Sequence, residues 1–77
     1  SVGGDRSDAD FAAMARAALP FGADRYLLAD LPGYERGRAV GEAPEVFRRS
    51  LVAEGVPDAR CHSFADPVSA VRAALEA

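Results

Sequence analysis

The sequence predicts an α/β fold, a parallel sheet flanked by helices, present as an incomplete αβαβα segment of one domain over residues 1–77. Two observations carry this expectation. Segments with helical apolar periodicity alternate with short apolar runs, the pattern of βαβ units. Glycine- and arginine-rich clusters also follow apolar stretches and precede helix-like ones, at Gly4-Asp5-Arg6 and at Arg36-Gly37-Arg38 with Gly41-Glu42. In a parallel sheet those are the carboxyl ends of strands, where ligands bind.

The elements follow in order, with Ser1-Val2 as a candidate tail of an earlier strand. Ser7 can cap a helix, and Asp10 three residues on makes a capping-box pattern. Phe11, Met14, Ala15, Ala18 and Leu19 recur on one face, which is read as core-facing, and Pro20 and Gly22 stop the helix. Arg25 to Ala29, with Tyr26-Leu27-Leu28, reads as a buried strand. A charged, glycine-rich loop runs from Asp30 to Gly41. A second helix starts near Glu42 with Pro44 in its first turn. Ala43, Phe47 and Leu51 share a face, Glu45 and Arg49 form an i,i+4 pair, and Gly55 is the stop. Arg60 to Phe64 is a weaker strand. Asp66-Pro67 then caps a last helix, expected to carry Val68, Val71 and Leu75 inward. Two strands cannot bury the apolar faces of three helices, so open sheet edges and self-association are expected.

Composition narrows the functional classes. Apolar residues make up 49% of the chain, which argues against disorder. A chain this short hides only about 60–65% of its unfolded surface, so the core is marginal. The net charge of −3 and the lack of a basic stripe argue against a nucleic-acid partner. All nine basic residues are arginine. Without lysine there is no Walker A loop and no Schiff-base or general-base lysine. Cys61 is the only cysteine, which excludes an internal disulfide and a multi-cysteine zinc site. The longest apolar stretch, Phe11 to Phe21, is interrupted by Arg16 and Pro20, so no membrane span is expected and a cytoplasmic setting is the simplest reading.

Candidate binding residues cluster at the two loops. Asp5 and Arg6 lie between a glycine turn and a helix start, where they can contact a ligand or nucleotide, or instead serve the turn locally through backbone N–H groups and pairing with Asp8 or Asp10. Arg36 and Arg38 can reach one anion together. Glu35 and Glu42 can instead hold a cation or pair with those arginines, and Glu42 also suits a helix N-terminus. Tyr34 can stack on a substrate, but reads first as an aromatic lid over the core edge. Cys61 and His62 are neighbours on a strand, so their side chains point to opposite faces and form no nucleophilic pair. No residue is assigned a catalytic or metal-ligating role.

Taken together, Gly3 to Asp10, Ala23-Asp24-Arg25-Tyr26-Leu27 and Arg36-Gly37-Arg38-Ala39-Val40-Gly41-Glu42 resemble the C-terminal domain of the Mur ligase superfamily, most closely that of cyanophycin synthetases. The resemblance extends over most of the chain, including Asp66 and the last helix. It implies a Rossmann-like domain that closes over nucleotide and amine substrate in an ATP-dependent amide-bond ligase. ATP and magnesium would be held mainly by a central domain of the parent chain, which carries the phosphate loop and activates a carboxylate as an acyl phosphate. The implied partners are that central domain and an amino-acid or peptide substrate, and the implied contact residues here are Asp5, Arg6, Arg36, Arg38 and Glu42. The central domain's phosphate loop and metal-binding residues are absent from this chain, which alone is expected to be inactive. Two other readings stand beside this one: a non-catalytic α/β interaction or regulatory module, and a Mur-type ligase of a peptidoglycan precursor or folate polyglutamate.

Overall fold

A computed structural model describes residues 7–30, 38, 39 and 41–76. Helix α1 (Asp8–Ala18) runs into a 3-10 turn (Leu19–Phe21), followed by strand β1 (Tyr26–Ala29) and helix α2 (Glu42–Ala53). A second 3-10 turn (Asp58–Arg60) leads to strand β2 (Cys61–Phe64), and helix α3 (Pro67–Glu76) comes last. The fold is therefore mixed α/β in the order αβαβα. The two strands are parallel, with Tyr26 opposite Cys61 and Ala29 opposite Phe64. The ladder continues one step further, the Asp30 N–H donating to the Phe64 carbonyl at 3.2 Å.

Local chemistry sets most boundaries. At the start of α1 the capping box forms both ways: the Asp10 N–H donates to Ser7 Oγ at 3.2 Å and the Ser7 N–H to Asp10 Oδ2 at 2.9 Å. Gly22 turns left-handed and donates to the Leu19 carbonyl, which ends the helical path. Helix α2 ends at Gly55, whose φ of 103° suits glycine alone. The next N–H, of Val56, returns to the Leu51 carbonyl, and the two side chains share one core cluster, the apolar contact typical of such helix ends. At α3, Asp66 Oδ1 accepts from the Ser69 N–H at 2.8 Å and so satisfies one of the helix's free donors.

Helix α2 covers one face of the sheet, and α1 packs on α2, reaching the same core through Ala15. Ala15, Leu51, Val56 and Cys61 form one buried cluster, with Tyr26 and Leu28 against it. Phe11, Ala43 and Val46 form a second, and Phe47 joins the two. The Phe11 and Phe47 rings meet at 5.9 Å and 54°, a tilted arrangement that aromatic pairs favour. Met14, expected in the core, lies at its margin and is exposed, because the α1 contact face centres on Phe11 and Ala15.

Strand side chains alternate, so Leu27, Ala29, His62 and Phe64 turn to the opposite face, where α3 packs across both strands. The orientation of α3 differs from expectation. Ala70 is buried, with Ser69 and Ala73 half-buried. Val68, Val71 and Leu75 are exposed at 62%, 57% and 80%. The small residues let the helix backbone approach the sheet closely. Two strands about 4.8 Å apart are also narrower than a helix about 10 Å across, so the rest of the apolar arc overhangs them. A second correction concerns Glu45: its carboxylate pairs with Arg48 at 2.9 Å, one position before the expected Arg49. Arg48 is the better placed of the two because it also reaches Asp58, tying α2 to the turn before β2, whereas Arg49 Nε donates to the Glu45 carbonyl. Among the described residues no helix is long and apolar enough to cross a membrane.

Candidate functional site

The carboxyl ends of β1 and β2 lie side by side, and the start of α2 is held there by a group that the sequence reading had not singled out. Asp30 directly follows β1 and is buried. Its Oδ2 accepts the N–H of Gly41, the residue that precedes α2, at 2.5 Å. Gly41 adopts φ 85° and offers no side-chain cap of its own, so a carboxylate from the end of the strand takes that role. A capping carboxylate displaced this far along the chain has no local pattern. The available signal was an aspartate ending an apolar run, opposite a glycine that opens a helix.

Arg38 joins the start of α1 to the start of α2. Its Nη2 donates to Asp8 Oδ1 at 2.7 Å and its Nη1 to Glu42 Oε2 at 3.0 Å. Asp8 opens α1, thirty residues earlier, and Glu42 opens α2. The guanidinium carbon also stands 5.2 Å from the centre of the buried Phe11 ring, within cation–ring range. The Arg38 side chain is consequently only 12% exposed, against 80% for that of Asp8. The hydrogen bond to Asp8 raises its pKa above the ordinary arginine value, with burial opposing and Glu42 assisting, so it stays charged. Glu42 accepts the Ala39 N–H through its other oxygen at 3.3 Å, which fixes the turn into α2.

Of the residues singled out from the sequence, Arg38 and Glu42 are in direct contact here. Asp5, Arg6 and Arg36, together with Tyr34 and Glu35, lie outside the described residues. One guanidinium thus faces two carboxylates, with the Asp30 carboxylate anchoring the same helix start. This described part of the cluster carries excess negative charge, which suits a cationic group better than a second anion. No group of three potential metal-ligating side chains occurs among the described residues.

On the strand beyond, Cys61 is buried with its Sγ 3.9 Å from the Pro57 carbonyl, while His62 is exposed. Burial pushes the Cys61 thiol up, away from the thiolate that nucleophilic chemistry requires. No known family, curated protein or solved structure matches the chain.

Proposed function

We propose that the chain is an accessory segment of an ATP-dependent carboxylate–amine ligase, of the Mur type and closest to cyanophycin synthetase, which faces the amine substrate. The observation that supports this is the Arg38 bridge. The Gly-Asp-Arg cluster immediately precedes α1 and the Arg-Gly-Arg cluster immediately precedes α2, and Arg38 joins those two helix starts at the carboxyl ends of parallel strands. The described residues do not themselves fit a triphosphate: they include no lysine, and Arg38 is engaged by Asp8 and Glu42. ATP and magnesium therefore belong to a separate central domain, and the contribution of this chain is an acidic surface that orients an amine. A second reading, a non-catalytic interaction module, draws on the exposed stripe of α3.

The test is made in the full reading frame that contains this sequence. An upstream phosphate loop, with ADP release that depends on an added amino-acid acceptor and an amide product seen by mass spectrometry, is the expected result. Arginine, aspartate and glutamate acceptors are compared, which also separates the cyanophycin-like reading from peptidoglycan or folate ligation. A reading frame with no phosphate loop, or a protein that releases no ADP with any acceptor, leaves the interaction module as the function. The 77-residue chain alone is expected to release no phosphate from ATP.

A further inference from the structure

We draw no further inference here: the strongest candidate, the exposed apolar stripe of Val68, Val71 and Leu75 on α3 beside the two-stranded sheet, carries none because nothing in the structure shows what covers it.

Discussion

Replacing Arg38 with alanine removes, among the described residues, the pair with Asp8, the pair with Glu42 and the approach to the Phe11 ring. Ion pairs with one exposed partner are worth about 0.2–1 kcal/mol each. A cation over an aromatic face adds about 0.5–1 kcal/mol, and more where water is excluded. The expected loss is about 1–2 kcal/mol, which for a domain of this size lowers the melting temperature by roughly 5–15 °C. Thermal and urea unfolding followed by circular dichroism measure it directly. Arg38→Lys is expected to recover part of the loss, because a single ammonium keeps the charge but cannot span two carboxylates as a planar fork does. The decisive comparison is a double-mutant cycle with Asp8→Ala. Asp8 also favours the α1 N-terminus, and the cycle subtracts that separate effect. A coupling of about 0.5 kcal/mol or more is expected. Raising the salt concentration shrinks the coupling, while the ring contact keeps Arg38→Ala less stable than the parent. If Arg38→Ala unfolds within about 0.3 kcal/mol of the parent and the cycle closes at zero, Arg38 does not clasp the two helices.

Other perturbations separate the core from the overhanging face. Leu51→Ala is expected to cost about 2–5 kcal/mol and to abolish the cooperative melt of so small a domain, whereas Leu75→Ser stays within about 0.5 kcal/mol; equal losses at the two sites would contradict the α3 orientation described above. Cys61 should resist a thiol reagent until the chain unfolds, so labelling in native buffer at the rate of an unfolded control would show that it is not buried. The Glu45 carboxyl is held below its ordinary range mainly by hydrogen bonding from Arg48, and that of Asp66 mainly by the Ser69 N–H. Both bind protons less readily folded than unfolded, so their stabilisation is complete above about pH 5, past the unfolded carboxyl range, and is lost as pH falls through the folded values. Urea midpoints should therefore drop from pH 5 to pH 3, and Asp66→Asn should lessen that drop; a parent midpoint that rises over this range refutes the assignment.

The features legible in the sequence are those decided within a few residues. The Ser7–Asp10 box, the stops at Gly22 and Gly55 and the Asp66 cap all follow from local backbone chemistry, and each is found in place. The two strands were legible because their apolar runs are short and flanked by turn residues. The face of α3 was not, because periodicity gives weight to bulky residues while the sheet selects small ones: Ala70 is buried and Leu75 is not. Arg38 poses the same difficulty in a polar setting. Its spacing from Glu42 was visible, but Asp8 and Phe11 become its neighbours only when α1 and α2 pack. Asp30 acts across eleven positions, beyond the reach of any capping pattern.

The Asp30 bond to Gly41 has a bearing on how this chain can vary. The bond joins a strand-end carboxylate to a backbone N–H and so needs no side chain at position 41. The start of α2 is thus held twice, by Asp30 through the backbone and by Arg38 through its side chain, so a change at one position leaves the other anchor in place. Variation at this edge is therefore limited by Arg38, which also rests on the buried Phe11 ring, and tolerated more readily where neither anchor is touched.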